Sequence, residues 1–136
     1  MRAVALAQLG CTVTHDPDGA PRLVDREGHI SISHDGAWTV AVYSDAPIGI
    51  DLCLRSHAAR ATRILDWLAI DCDADPVEQF AALEAALKLH RLGIERVLDR
   101  DLAILVDGDA LVVRGLGDDI RATLHHYPDF VMAVCG

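Results

Sequence analysis

Three short segments carry residues whose types and spacing could do chemistry. They are Ser31-Ile32-Ser33-His34, Gly49-Ile50-Asp51 and the segment 80–88. Imidazole, carboxylate and ammonium groups that come together could support acid–base chemistry. The candidate site residues in these segments are His34, Asp51, Glu84 and Lys88.

Each segment has an ordinary structural interpretation when it is taken alone. A histidine that ends an alternating strand is usually exposed, and an aspartate after an apolar run is often a turn residue. Glu84 and Lys88 are four residues apart, a spacing typical of a surface ion pair that contributes a few tenths of a kcal/mol. The order of the three segments along the chain says more than any one of them.

The first segment lies in a part of the sequence that is rich in turns and short strands. Asp16-Pro17-Asp18-Gly19 predicts a turn, and Asp35-Gly36 predicts a hairpin between two strands. The alternation of polar and apolar residues predicts a strand over His29–His34. A second strand is predicted over Trp38–Ser44, and a third, short and apolar, over Pro47–Leu54.

Two helices follow in the sequence, and the second carries Glu84 and Lys88. The first is predicted over 56–70, with an apolar stripe of Ile64, Leu65, Leu68 and Ala69. The second is predicted from about Val77 to Leu92. Asp75 would cap it, Pro76 would occupy its first position, and Gly93 would end it. Its apolar face carries Phe80, Leu83, Leu87 and Leu89.

The ends of the chain complete an α+β pattern. A short helix is predicted before Gly10, and strands are predicted at 102–106, 111–113 and 130–134, with a turn at Asp107-Gly108. The chain has 136 residues, which is typical of one domain. We therefore expect a single α+β domain over 1–136.

Composition excludes some partners and favours one compartment. The net charge of −9 argues against nucleic acid and against an anionic membrane surface, since both require a basic face. It also argues against long-range attraction of an acidic protein. The four cysteines form no CxxC pair and no signal peptide precedes them, which favours free thiols in the cytoplasm.

The ordered segments resemble the 4'-phosphopantetheinyl transferase superfamily, and specifically its surfactin-type branch. That branch has Gly-x-Pro, a Ser-x-Ser-His strand, Gly-Ile-Asp-x-Glu, and then Trp-x-x-Lys-Glu-Ala-x-x-Lys. The corresponding segments here are Gly19-Ala20-Pro21, Ser31–His34, Gly49–Cys53 and Phe80–Lys88, with Phe130–Val134 as the closing strand. The resemblance covers roughly residues 19 to 136.

The resemblance implies an antiparallel sheet packed against a long helix. Surfactin-type enzymes are pseudo-dimers with the coenzyme A site between two similar halves, and this chain resembles the end of the first half followed by the second. The short acyl-carrier-protein synthase branch forms trimers but has the motifs in the opposite order. The resemblance therefore leads us to expect a homo-oligomer.

The resemblance also implies an activity, the transfer of phosphopantetheine from coenzyme A to a serine of an acyl or peptidyl carrier protein. By this resemblance Asp51, the residue at 53 and Glu84 would hold Mg²⁺, and Glu84 would also be a candidate base for the serine. Lys88 would offset phosphate charge. His34, with Ser33, would contact the phosphate of the nucleotide end.

Several positions depart from the pattern of that branch. Cys53 replaces the second acid, and a soft thiol is a poor ligand for Mg²⁺; we interpret it as an inert buried thiol. Leu83 and Ala20 replace lysines, with Arg22 as a substitute for the second of them. Phe80 replaces the tryptophan, and Arg91 stands where glycine is usual.

These departures predict a weakened site for magnesium and coenzyme A, and they leave two alternatives open. One is a repurposed enzyme that performs acid–base chemistry on a carrier-tethered polyketide or peptide intermediate, with Glu84 or His34 as the acid or base. The other is a non-catalytic partner that binds a carrier protein.

Overall fold

The computed structural model describes residues 13–17, 19–24 and 27–136. The short helix predicted before Gly10 lies outside these residues. Nine strands are present in the described part of the chain: β1 Val13–His15, β2 Pro21–Leu23, β3 His29–Asp35, β4 Trp38–Ser44, β5 Gly49–Leu54, β6 Ala103–Asp107, β7 Ala110–Arg114, β8 Ile120–His126 and β9 Phe130–Cys135. The helices are α1 Ala58–Trp67 and α2 Pro76–Leu89, and short 3-10 turns cover Arg55–His57 and Ile94–Arg96.

The main sheet is antiparallel, with strand order β5-β9-β8-β7-β6, and α2 packs across it. Most of α2 is buried, and its alanines allow a close approach to the sheet. A Cβ atom at Gly49 would clash with the backbone of Ala85 and Leu89 in α2, so β5 meets this helix without a side chain at that point. The predicted α+β architecture, with an antiparallel sheet against a long helix, is confirmed.

The β3–β4 hairpin packs against β5 in an unusual way. Backbone N–H groups on the edge of β5 donate hydrogen bonds to side chains of β3 and not to its backbone. The backbone N–H groups of Ile50 and Leu52 donate to the hydroxyls of Ser31 and Ser33, each at 3.0 Å. The N–H of Leu54 donates to the Asp35 carboxylate, also at 3.0 Å. Alternate residues of a strand point to one face, so this row of side chains fixes β3 relative to β5.

The start of α2 confirms the predicted cap, whereas its predicted end is wrong. Asp75 accepts a hydrogen bond from the N–H of Val77 at 2.8 Å, and Pro76 is the first helical residue. The helix ends at Leu89 and not at Leu92, and Gly93 does not form its cap. Arg91 takes the left-handed position instead, with φ at 55°.

The other boundaries differ from the prediction for local reasons. The helix predicted over 56–70 is a 3-10 turn followed by α1, and Ala69 is left-handed at φ 57° and exposed, not part of an apolar stripe. Strand β8 was not predicted, because its outward residues are polar and no apolar run marks it. The two three-residue strands β1 and β2 flank the predicted turn at Asp16. Within the described residues, no helix has the length and apolar composition needed to span a bilayer.

Candidate functional site

Asp51 joins the three segments that the sequence singled out. It lies on β5 with its side chain 8% exposed. Its Oδ1 accepts hydrogen bonds from the Ser33 hydroxyl of β3 and from the Lys88 ammonium of α2, both at 3.0 Å. Residues separated by 18 and 37 positions in sequence therefore meet at one carboxylate oxygen.

The second oxygen of the Asp51 carboxylate differs from the first in its surroundings. Asp51 Oδ2 is buried and has no hydrogen-bond partner among the described residues. Burial raises the pKa of Asp51, while the charge and hydrogen bond of Lys88 and the hydroxyl of Ser33 oppose that rise. An unpartnered buried carboxylate oxygen is unfavourable unless a proton or a cation joins it.

Lys88 is held in place by a second contact. Its ammonium also donates to the carbonyl oxygen of Ile32 in β3 at 3.2 Å. The side chain is 31% exposed, so the ammonium bridges α2 and β3 while part of it still faces solvent. A lysine in this position can neutralise Asp51 and can also meet an anion that approaches from outside.

Glu84 lies one helical turn before Lys88 and is half-buried. Burial raises the pKa of Glu84 to about 7. The negative charge of Asp51 adds to this rise, and Lys88 and Arg60 oppose it. A carboxyl group with this pKa gains and loses its proton near neutral pH, which suits it to acid–base chemistry or to binding a cation.

A cavity of about 270 Å³ opens beside Asp51. Its wall includes the cations Lys88 and Arg91, and Ser33 lies at its β3 side. Three histidines also line it, namely His15, His29 and His34. The chain as a whole is acidic, but this cavity collects positive and hydrogen-bonding groups, so it suits an anionic ligand.

Arg91 reaches this cavity from a helix end that would normally favour glycine. The N–H groups of Leu92 and Arg91 donate to the carbonyls of Leu87 and Lys88 at 2.9 and 3.1 Å, and this pattern places residue 91 in the left-handed region. The guanidinium donates to the Asp16 carboxylate at 2.9 Å and contacts the Pro21 carbonyl at 3.5 Å. These contacts tie the β1–β2 hairpin to the end of α2.

The substituted motif positions have structural roles. Cys53 is 1% exposed, and burial together with the nearby Asp51 charge raises the pKa of its thiol to about 12, as expected of an inert thiol. Leu83 is fully buried in the core, so no ligand reaches that position. Phe80 is also buried, beneath the guanidinium of Arg60, whose central carbon lies 5.8 Å from the ring centroid.

Two candidate residues, His34 and Arg22, form neither a hydrogen bond nor an ion pair with Asp51 in the described structure. His34 is exposed and lines the cavity. Arg22 is largely exposed, pairs with Asp16 on the hairpin, and is not among the residues that line the cavity. Sequence reasoning missed the contribution of His29 to the cavity, although its two-residue spacing from Ser31 places both on one face of β3.

The described residues contain no group of three or more His, Cys, Asp or Glu side chains arranged to hold a metal ion. Asp51 and Glu84 nevertheless fit the way Mg²⁺ is commonly bound. This ion often takes one or two carboxylates and completes its shell with water and substrate phosphates. Asp51 Oδ2 has no hydrogen-bond partner among the described residues and burial raises the pKa of Glu84, and a cation would favour the ionised form of each carboxyl group.

Comparison with known proteins assigns no family to the chain. No family model matches it, and no curated protein matches it. The chemistry of the site itself therefore carries the assignment of function.

Proposed function

We propose that the chain is a divergent 4'-phosphopantetheinyl transferase-like protein that moves phosphopantetheine from coenzyme A to a serine of an acyl or peptidyl carrier protein. The observation that carries this proposal is the meeting of Ser33, Asp51 and Lys88 through direct hydrogen bonds. These residues come from the three segments that resemble the superfamily, and their contact supports a shared site.

The cavity supports a phosphorylated substrate. Lys88 and Arg91 supply positive charge, and His34 supplies a hydrogen-bonding ring at its edge. Coenzyme A carries a diphosphate and a further phosphate on its nucleotide, so its binding needs several such groups. The proposed site therefore holds the nucleotide end of coenzyme A in this cavity, with the diphosphate towards Lys88 and Asp51.

Asp51 and Glu84 would hold Mg²⁺ together with the substrate diphosphate. The bound ion would supply neutralisation of phosphate charge in the transition state. Cys53 contributes no ligand, so two carboxylates remain, and Lys88 already offsets part of their charge. We therefore expect weak magnesium binding to the free chain and stronger binding once coenzyme A is present.

The reaction forms a bond from the serine oxygen to the phosphorus that carries pantetheine. It breaks the bond from that phosphorus to the bridging oxygen of the diphosphate. The serine proton passes to a base, and the nucleotide end leaves as a phosphate. Lys88 would offset negative charge on the diphosphate, and the Ser33 hydroxyl, which donates to Asp51, would keep that carboxylate in position.

The test is incubation with apo carrier protein, coenzyme A and Mg²⁺, followed by intact mass of the carrier. The expected result is a gain of the phosphopantetheine mass. Asp51→Asn should reduce the rate at least about 100-fold. The exposed Asp118 provides a matched control, since Asp118→Asn should leave the rate unchanged. No mass gain with several acyl and peptidyl carriers would end the proposal.

A second candidate function is acid–base chemistry on a carrier-tethered polyketide or peptide intermediate. The pKa of about 7 at Glu84 favours it. Incubation of an acyl-loaded carrier in heavy water should then give deuterium uptake next to the thioester carbonyl, and Glu84→Gln should abolish that uptake. Equal uptake by the variant and the wild type would exclude Glu84 as the acid or base.

We further propose that the chain self-associates and acts in the cytoplasm. Strand β6 is at the edge of the main sheet, and Leu105 and Val106 are 39% and 58% exposed on it. An exposed apolar edge strand is suited to pairing with another chain. Light scattering should give an oligomer that Val106→Lys dissociates; a monomeric wild type would contradict self-association.

In the described part of the chain, Cys53, Cys72 and Cys135 are free thiols, which supports a reducing compartment.

A further inference from the structure

Asp35 and His57 form a hydrogen-bonded pair at the far end of the side-chain row that holds the β5 edge. Asp35 ends β3, and its Oδ2 accepts the N–H of Leu54 at 3.0 Å. The same oxygen lies 2.9 Å from Nδ1 of His57, which follows β5 in a 3-10 turn. The backbone therefore fixes the carboxylate, and the carboxylate fixes the imidazole ring.

This contact determines which ring nitrogen is available. An ionised carboxylate only accepts hydrogen bonds, so Nδ1 carries the proton and Nε2 keeps its lone pair in the neutral ring. The side chain of His57 is 35% exposed. Within the described residues, Asp35 is the only hydrogen-bond partner of the ring, and the ring does not cap α1. A carboxylate on one nitrogen and an open second nitrogen is the arrangement that orients a histidine as a base.

Asp35 is close enough to Asp51 for its charge to add to the rise in the pKa of Asp51, although neither Asp35 nor His57 is among the residues that line the cavity. Asp35 is two residues beyond Ser33 along β3, a step of about 7 Å. Arg60 lies between the Asp35–His57 pair and Glu84. Its guanidinium lies 3.9 Å from Asp35 Oδ2, and its charge opposes the burial that raises the pKa of Glu84.

A base separate from Glu84 is required if Glu84 holds the metal. A carboxylate bound to Mg²⁺ is a weaker base, because the cation stabilises its ionised form. Within the described part of the chain, His57 offers a ring nitrogen that is oriented by Asp35 and free to accept a proton.

We propose that His57, oriented by Asp35, is the general base that accepts the proton of the attacking hydroxyl. This inference rests on the proposed function, in which the hydroxyl belongs to the carrier serine. The serine O–P bond forms, the diphosphate P–O bond breaks, the serine proton passes to Nε2, and the nucleotide end leaves with the bonding electron pair. Asp35 stays ionised and stabilises the imidazolium that forms.

The test compares His57→Asn with the wild type in the carrier modification assay between pH 5.5 and 8.5. Asparagine keeps a donor near the position of Nδ1 and removes Nε2. We expect kcat to fall about 100- to 1000-fold, with the KM for coenzyme A unchanged. The limb of the pH–rate profile due to a histidine should disappear. His126 pairs with Glu78 at 2.6 Å in an exposed position, so His126→Asn is the matched control and should keep wild-type kinetics.

Two further measurements separate the possible failures. Urea unfolding should show that His57→Asn is folded. Asp35→Asn should lower kcat at least tenfold with the KM for coenzyme A unchanged, since the ring loses the carboxylate that orients it; an unchanged kcat overturns the assignment. Wild-type kcat and pH profile in His57→Asn also overturn it, while carrier modification by the wild type leaves the transferase proposal intact. Failure of the wild type on every carrier overturns both proposals.

Discussion

Glu84→Gln should stabilise the chain above neutral pH and leave it unchanged in acid. The pKa of Glu84 is about 7 in the folded chain, against 4.5 for a solvated glutamate. Each unit of difference corresponds to about 1.4 kcal/mol, so ionised Glu84 destabilises the fold by about 3 kcal/mol. Burial is the main cause, and the charge of Asp51 adds to it.

The sign of the pH dependence follows from the raised pKa. The folded chain favours protonated Glu84, so this contribution to stability is fully present below about pH 4.5. It is lost progressively as pH rises to about 7. Glutamine is neutral throughout, so the variant should match the wild type near pH 4.5 and exceed it by about 2–3 kcal/mol at pH 8.

Urea unfolding at four or five values of pH between 4.5 and 8.5 measures this difference. Trp38 and Trp67 provide the fluorescence signal. The exposed Asp118 again gives the control, and Asp118→Asn should run parallel to the wild type. A constant offset between Glu84→Gln and the wild type across this range would refute the assignment of a raised pKa to Glu84.

The ion pair, the close strand–helix contact and the left-handed helix end each give a further prediction. Lys88→Met should destabilise the chain by about 2–4 kcal/mol at pH 7. The loss should shrink as pH falls, because the raised pKa of Asp51 favours its protonated form, and adding Asp51→Asn should restore most of the loss in urea unfolding. Gly49→Ala should lower the free energy of unfolding by about 1–3 kcal/mol, because the new Cβ atom would meet the backbone of α2. Gly93→Ala would meet only the flexible carboxylate of Glu95 and should lower it little. Equal urea midpoints for the two variants would contradict this. Arg91→Gly should change stability by less than about 1 kcal/mol, yet weaken coenzyme A binding in calorimetry at least tenfold; unchanged affinity would remove Arg91 from the binding cavity.

The sequence predicted the start of α2 correctly and its end incorrectly. The pair Asp75-Pro76 started α2 where expected, because a cap and an N1 proline act within one helical turn. The predicted end of α2 was wrong, because Arg91 occupies the left-handed position that glycine was expected to take. Its guanidinium is held by Asp16, 75 residues earlier in the chain. No local pattern indicates a contact over that separation.

The sequence indicated that Ser33, Asp51 and Lys88 could share a site, and they are in contact, but it did not indicate several of the hydrogen bonds around them. The two-residue spacing of Ser31, Ser33 and Asp35 places them on one face of β3, and this can be predicted from the sequence. It does not indicate that this face meets the N–H groups of β5, because that depends on how the hairpin packs. His57 was missed for the same reason, since only the fold brings it to Asp35.

The position of Cys53 allows a direct test of the proposed cation site. Its side chain is 1% exposed, and the charges of Asp51 and Asp35 both raise the pKa of its thiol. A carboxylate there would add a third negative charge near Asp51 and Glu84, which are offset by Lys88 and Arg60. Cys53→Asp should therefore destabilise the chain by about 3–5 kcal/mol without metal.

Millimolar Mg²⁺ should restore part of that loss, because the new carboxylate completes a set of hard ligands with Asp51 and Glu84. The wild type without coenzyme A should gain little from Mg²⁺. Cys135 is the control, since it is equally buried and burial alone raises the pKa of its thiol to about 12. Cys135→Asp should be destabilised with no recovery by Mg²⁺. If Mg²⁺ rescues both variants, or neither, then Asp51 and Glu84 do not form a cation site, and the stability effect of residue 53 is burial alone.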